Sequence, residues 1–265
     1  MAETFNISIV GAGRVGWHLA QALSAVGHTI QEIWSRRQSQ AHLLAAKLPN
    51  ARVVHSLDFS ESPSQVFLLT VTDAALADIG HRLRLPKDAV VAHSSGSQAL
   101  NMLNTIAAGG TGVFYPLQTF SKEKEVNMAE VPFFIEGSNP ATTLILEALA
   151  LSLSNKVHRA SGEQRRQLHL AAVFASNFSN HMLRIAHDLL QESRLPTDLL
   201  HPLIEETLQK AIKIGPAPAQ TGPAVRGDIP ILEQHQKQLL AHPEWMQLYK
   251  LISDDILEKS KINKQ

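Results

Sequence analysis

The stretch Gly11-Ala12-Gly13-Arg14-Val15-Gly16 constrains this chain more than any other. It follows a short apolar run, Phe5 to Val10, and precedes a segment carrying Val15, Leu19, Ala22, Leu23 and Val26 at helical spacing. Strand, G-x-G-x-x-G turn and amphipathic helix, in that order, open a dinucleotide-binding βαβ unit. Each glycine has a physical task. Gly11 makes the tight turn, Gly13 lets the backbone approach a pyrophosphate, and Gly16 lets the helix pack close on the strand. Ala12, Arg14 and Val15 complete the loop. The helix N-terminus then offers free N–H groups and its positive dipole end to the phosphates.

Further along, strands are expected at Thr29–Trp34, Arg52–His55, Gln65–Val71, Ala89–His93 and Gly112–Tyr115. Helices are expected between them at Gln38–Leu48, Ala74–Leu83 and Gln98–Ala108. A strand at Val131–Glu136, a helix at Ala141–Leu153 and a short strand at Lys156–Arg159 follow. The alternation predicts an α/β fold with a doubly wound parallel Rossmann sheet. The pattern then becomes all-α. Glu163–Glu192 contains neither Pro nor Gly and reads as one long helix, and Asp198–Lys213 as another. A Pro/Gly-rich loop spans Gly215–Gly227, and two helices lie near Ile231–Ala241 and Pro243–Lys259. The boundary is expected near Ser154, which gives a dinucleotide-binding domain over residues 1–153 and a helical domain over residues 154–265.

Composition removes several function classes. Lys+Arg and Asp+Glu balance at 24 each, so no net charge favours nucleic acid or an anionic membrane as partner. There is no cysteine, which excludes disulfides, zinc–thiolate sites and thiol nucleophiles. The thirteen histidines are scattered without a metal-binding cluster, so no metal is expected. The start of the chain lacks the basic lead and apolar stretch of a signal peptide, and no segment reaches the roughly 20 apolar residues that span a bilayer. The expected compartment is the cytoplasm.

The end of the second strand discriminates between cofactors. An acidic residue about 20 positions beyond the glycine turn normally holds the ribose 2′-hydroxyl of NAD. This chain has Ser35-Arg36-Arg37 there. Guanidiniums and a hydroxyl suit a 2′-phosphate, which a carboxylate would repel. NADP is therefore expected ahead of NAD. Three other segments reach the carboxyl edge of the sheet, where ligands of such folds lie. Val71 and Thr72 are expected beside the cofactor ribose, with Asp73 either near them or capping the next helix. In His93-Ser94-Ser95-Gly96, Ser94 is expected at the cofactor and Ser95 at the substrate. His93 is either a proton donor or a ring satisfied by backbone. Tyr115-Pro116-Leu117-Gln118-Thr119-Phe120 is expected on the substrate side.

These segments, together with His169-Leu170-Ala171-Ala172-Val173-Phe174-Ala175-Ser176-Asn177 and Thr221-Gly222-Pro223-Ala224-Val225-Arg226-Gly227-Asp228, carry a resemblance over nearly the whole chain. It resembles the Rossmann-like oxidoreductases with a C-terminal helical domain of uncharacterised function, related to pyrroline-5-carboxylate reductase, deazaflavin-dependent NADP reductase and 6-phosphogluconate dehydrogenase. The resemblance implies a 6-phosphogluconate-dehydrogenase-like helical domain whose long helix forms the core and the interface of a homodimer. It also implies an active cleft between the domains. Hydroxyacid dehydrogenases of the wider superfamily place a catalytic lysine and an asparagine four residues apart on this helix, whereas here the helix has no lysine.

The proton role then falls to His169, since imidazole titrates near neutrality, and substrate orientation to Asn177. Eight residues separate them, about 80° around a regular helix. Thr221 and Arg226, on a rigid Pro/Gly loop, suit recognition of a substrate carboxylate, and Arg226 and Asp228 equally suit a loop-closing pair. The expected activity is NADP(H)-dependent hydride transfer to or from a small carbonyl, hydroxy-acid or imine substrate. A different class, a non-catalytic NADP(H)-binding sensor or scaffold, is motivated by the missing lysine.

Overall fold

The computed structural model describes residues 3–262. They divide into two compact units, the first ending at Asn177 and the second beginning at Phe178. The first unit holds β1 (Asn6–Val10), β2 (Thr29–Trp34), β3 (Arg52–Val54), β4 (Val66–Leu69), β5 (Val90–His93), β6 (Gly110–Pro116), β7 (Phe133–Gly137) and β8 (Val157–Arg159). It also holds α1 (Arg14–Ala25), α2 (Gln38–Ala45), α3 (Asp73–Arg82), α4 (Pro140–Leu151) and α5 (Gly162–Ala172). The strands form one sheet in the order β3-β2-β1-β4-β5-β6-β7-β8.

Alternation along the strands builds a core on each face of the sheet. Val66 and Leu68 of β4 join Ile7 and Ile9 of β1 in a cluster with Leu19 and Leu23 of α1, Leu44 of α2 and Leu146 of α4. Phe67 and Leu69 turn the other way, to Leu76 and Ile79 of α3. The unbroken apolar run of β4 follows from burial on both faces. The strand order reverses between β1 and β4, which puts the carboxyl ends of those two strands at the switch point where such sheets bind ligands.

Pairing is parallel from β3 through β6 and between β7 and β8, but β7 runs antiparallel to β6. The doubly wound parallel sheet that the alternation predicts is thus present, with an antiparallel pairing at β6 and β7. The connection from β6 to β7 holds only a 3-10 turn at Met128–Glu130, with no helix to carry the chain back for a parallel crossover. The helix expected over Gln98–Ala108 is likewise a single 3-10 turn, Leu100–Leu103. The carbonyl of Gln98, which a helix would use for Met102, accepts instead from the Arg165 guanidinium. Met102 N–H donates to Ala99.

The long helix expected from Glu163 begins at Gly162 under a capping box. Ser161 accepts from the Gln164 N–H at 3.2 Å, and the Gln164 side chain accepts from the Ser161 N–H at 2.9 Å. After α5 it widens into a π segment, Val173–Phe178, before continuing as α6 (Ser179–Glu192). Compactness carries the first unit past Ser154 to Asn177, because Arg165 and His169 of α5 are bonded to the sheet part of the chain.

The second unit continues with α7 (His201–Ile214), α8 (Pro216–Ala219), α9 (Pro223–Arg226), α10 (Ile229–Gln238) and α11 (Pro243–Ile262). The Pro/Gly-rich loop thus contains two single-turn helices. Each opens with proline directly after a glycine of positive φ, Gly215 at 87° and Gly222 at 111°. Among the described residues of this unit, Ala224, Leu232 and Leu239 are the buried apolar side chains. Among the described residues, no helix is long and apolar enough to cross a membrane.

Candidate functional site

The glycine turn sits at the switch point. Gly11 donates its N–H to Trp34 at 2.7 Å and adopts a φ of 117°. A Cβ there would lie 2.8 Å from the Thr70 backbone and 2.9 Å from Val71 Cγ1. At Gly16 a Cβ would strike the Gly11 carbonyl and lie 2.5 Å from Thr70 Oγ1. Thr70, which the sequence reading passed over, locks the turn by donating its hydroxyl to the Gly11 carbonyl at 2.5 Å. Gly13 is different. A Cβ there would meet only Thr70 O, at an ordinary 3.6 Å, and the residue is exposed. The fold itself does not require a glycine at this position. The helix it caps has no side-chain cap and no acid in its first turn, so the N–H groups at its start are open to an anion.

At the end of β2, Ser35 is buried while Arg36 and Arg37 are exposed, and neither arginine forms an ion pair among the described residues. The acid of β2, Glu32, lies in mid-strand. It is held by Ser8 at 3.0 Å, by Arg52 at 2.5 Å and by Ser62, which leaves it no part in a ribose site.

A cavity of about 660 Å³ lies within the first unit. Its walls include Arg14 and Val15 of the turn, Ser94, the segment from Tyr115 to Phe120, and His169 and Asn177. Residues on both sides of Ser154 contribute. The π segment lies between His169 and Asn177, so the regular helical angle does not apply to them, yet both face this space. π segments inside helices occur frequently at functional sites.

Tyr115 makes the central contact, with its hydroxyl 3.1 Å from His169 Nδ1. Gly96 explains the end of the His93-Ser94-Ser95-Gly96 motif. A Cβ there would lie 2.6 Å from His169 Nδ1 and 2.7 Å from Tyr115 Cζ, so both rings rest over a bare backbone. One turn before His169, Arg165 is fully buried, paired with Glu136 and with the Gln98 carbonyl. Burial pushes the Tyr115 phenol above its ordinary value, with the Arg165 charge pulling the other way. Asp73 accepts from Ser97 at 2.5 Å. Burial raises its carboxyl, but hydrogen bonds from Ser97, Ser95 and Gln98 outweigh that and hold it below its usual range, with His169 adding to the same effect.

Of the two readings of His93, the structure fits the ring bonded to backbone, and the residue is not among the cavity walls. It is fully buried, its Nδ1 accepts from the Ser95 N–H at 3.2 Å, and burial followed by the Arg165 charge lowers its pKa to about 4. Ser95 is absorbed by the same turn. Its hydroxyl accepts from the N–H groups of Ser97 at 3.2 Å and Gln98 at 3.0 Å, so it shapes the loop and does not stand among the cavity walls. Val71 packs at the glycine turn, and Thr72 caps α3 through its backbone. Thr221 and Arg226 belong to the second unit. Thr221 is exposed there, and an Arg226 guanidinium nitrogen lies 3.9 Å from Asp228, the loop-closing pair.

Residues 2–117 match the family described as a Rossmann-like domain, and residues 131–256 match the domain of unknown function DUF2520. No curated protein matches the chain. Among solved structures, a Bacteroides fragilis protein provisionally named an NADP oxidoreductase is 38% identical, with a TM-score of 0.88, over 97% of this chain and 100% of its own. A Thermotoga maritima protein is 22% identical with a TM-score of 0.71, over 98% and 100% of the two chains. A reductive aminase from Aspergillus terreus, solved with NADPH and ethyl levulinate, is 15% identical with a TM-score of 0.61, over 89% of this chain and 78% of its own. These last two share the fold. The identity to the Bacteroides protein extends over nearly the full length of both chains, and the chain belongs to the family that joins a Rossmann-like domain to the DUF2520 domain.

Proposed function

We propose that this protein is an NADP(H)-dependent oxidoreductase for a small carbonyl, hydroxy-acid or imine substrate. One observation carries the reading. The dinucleotide turn, through Arg14 and Val15, shares a cavity with His169 and Asn177. The protein's own packing leaves Gly13 free of any need to be glycine, which fits a position kept bare for a pyrophosphate. Gly11, Ala12, Gly13, Arg14, Val15 and Gly16 would hold the pyrophosphate, Ser35, Arg36 and Arg37 the 2′-phosphate, and Val71, Thr72 and Ser94 the adjoining part of the dinucleotide. Bound there, it would supply or accept a hydride. His169 serves the proton step, and Asn177 orients the substrate. The names of the Bacteroides protein and of the NADPH-bound reductive aminase support NADP ahead of NAD.

Calorimetric titration of the cofactor-free protein with NADPH and with NADH tests the reading. NADPH is expected to bind at least about tenfold more tightly, a difference of about 1.4 kcal/mol. The double variant Arg36→Ala, Arg37→Ala should abolish that preference. Binding of neither dinucleotide would remove the reading, and equal weakening of both in the variant would remove the 2′-phosphate assignment.

The working form we propose is a homodimer through the helical unit. That unit buries few apolar side chains, while Leu199, Leu203, Leu208 and Ile212 stand exposed, Ile212 at 86%. Apolar faces of this kind ask for cover by a second surface.

A further inference from the structure

The Tyr115 hydroxyl and His169 Nδ1 meet at 3.1 Å on the wall of the cavity. Tyr115 is buried, and its hydroxyl has His169 Nδ1 as its hydrogen-bond partner among the described residues. A phenol O–H can donate to a ring nitrogen or accept from it, and the imidazole tautomer sets which occurs. With the phenol as donor, Nδ1 of neutral His169 accepts and the ring proton sits on Nε2. Nε2 makes no hydrogen bond to the protein among the described residues and is not among the buried unsatisfied atoms. Since the imidazole lines the cavity, its one N–H is available to a ligand there. The arrangement rests on Gly96, which admits no side chain under the two rings.

Resting on the function proposed above, we infer that Tyr115 and His169 form a proton relay, and that the substrate it serves is a neutral aldehyde or ketone. When a hydride from the reduced dinucleotide reaches a carbonyl carbon, the π pair moves to oxygen. That oxygen takes the Nε2 proton of His169, while Nδ1 takes the proton of the Tyr115 hydroxyl. The phenolate left behind lies in the field of the Arg165 guanidinium, and a proton from solvent restores the phenol. Alkoxide is a much stronger base than phenolate, so the transfer runs downhill. An iminium substrate arrives protonated and leaves as a neutral amine, so it needs no such donor. A cationic substrate would also want a carboxylate, and among the described residues no Asp or Glu lines the cavity, Asp73 being bonded to Ser97. Tyr115 acts through His169 and is a positioning and relay residue.

The test uses the full chain with isotope-labelled histidine. Long-range proton–nitrogen spectra at mildly alkaline pH report which ring nitrogen carries the proton, and His169→Gln assigns the signal. His169 should show the Nε2–H tautomer in the parent protein and a mixed or reversed population in Tyr115→Phe, while calorimetry finds the same NADPH affinity in both. An Nδ1–H tautomer in the parent, or no change in Tyr115→Phe, would overturn the relay. NADPH oxidation is then followed on a panel of aldehydes and ketones and a panel of preformed cyclic imines. Turnover of carbonyls should fall by about 10²-fold in Tyr115→Phe. Turnover confined to imines, turnover unaffected in Tyr115→Phe, or turnover of neither panel by protein that binds NADPH would each overturn the carbonyl assignment. Failure to bind NADPH would overturn the underlying function instead, and the tautomer result would still decide whether the pair is built as described.

Discussion

Gly13 and Gly16 stand three residues apart and are glycine for different reasons. Gly16 is demanded by the fold, because a Cβ would strike the Gly11 carbonyl and Thr70. Gly13 has room for one. Gly16→Ala should therefore lower stability by about 1–3 kcal/mol, measured by urea unfolding. Gly13→Ala should leave stability within about 0.5 kcal/mol of the parent and weaken NADPH binding at least about tenfold. A Gly13→Ala protein that binds NADPH normally would show that no phosphate approaches that backbone. His93 supplies a second residue-scale expectation. Its folded-state pKa of about 4 lies below the ordinary 6.5, so the unfolded chain takes up the proton first as pH falls. Stability is full above about 6.5 and declines by up to about 3 kcal/mol as pH drops toward 4. His93→Gln should flatten that slope in unfolding curves taken at successive pH values, and an unchanged slope would assign it elsewhere. The glycine turn was legible in sequence because its spacing encodes a local geometry. The choice between the two readings of His93 was not, since burial is set by strands that join it from elsewhere. The meeting of Tyr115 with His169 was equally hidden, because the two lie 54 residues apart.

At the scale of elements, the strands that alternate apolar residues or run apolar throughout were readable, and β2 falls where its pattern put it. The errors came where a side chain from far along the chain claims a backbone group. Arg165 takes the Gln98 carbonyl, and the following helix shrinks to one turn. Arg165 also ties α5 to β7 through Glu136, with the guanidinium side fully buried. Removing the acid leaves a buried charge without its partner, so Glu136→Ala should cost about 3–5 kcal/mol in urea unfolding. The Arg159–Glu147 pair, solvated at the arginine, offers the comparison, and Glu147→Ala should shift the urea midpoint far less. Equal costs would mean that the strut carries no special weight. No periodicity announces such a strut, because an arginine on a helix is ordinarily a solvated one.

For the whole molecule, the second unit sets the main expectation. With Ala224, Leu232 and Leu239 as its buried apolar side chains among the described residues, it has little core of its own. If a second copy covers its exposed leucines and isoleucines, stability depends on protein concentration. The thermal midpoint should rise with concentration, and light scattering should give about twice 29.0 kDa at micromolar protein. A concentration-independent midpoint with a monomeric mass would overturn the dimer. The sheet order has a consequence for biosynthesis. β1 lies between β2 and β4, so the first parallel layers can pair once residue 69 has left the ribosome. From β4 onward every later strand joins the same edge in the order in which it is translated. The growing sheet thus always has one open edge waiting for the next segment, and a pause in translation after β4 would leave that edge bare to neighbouring nascent chains.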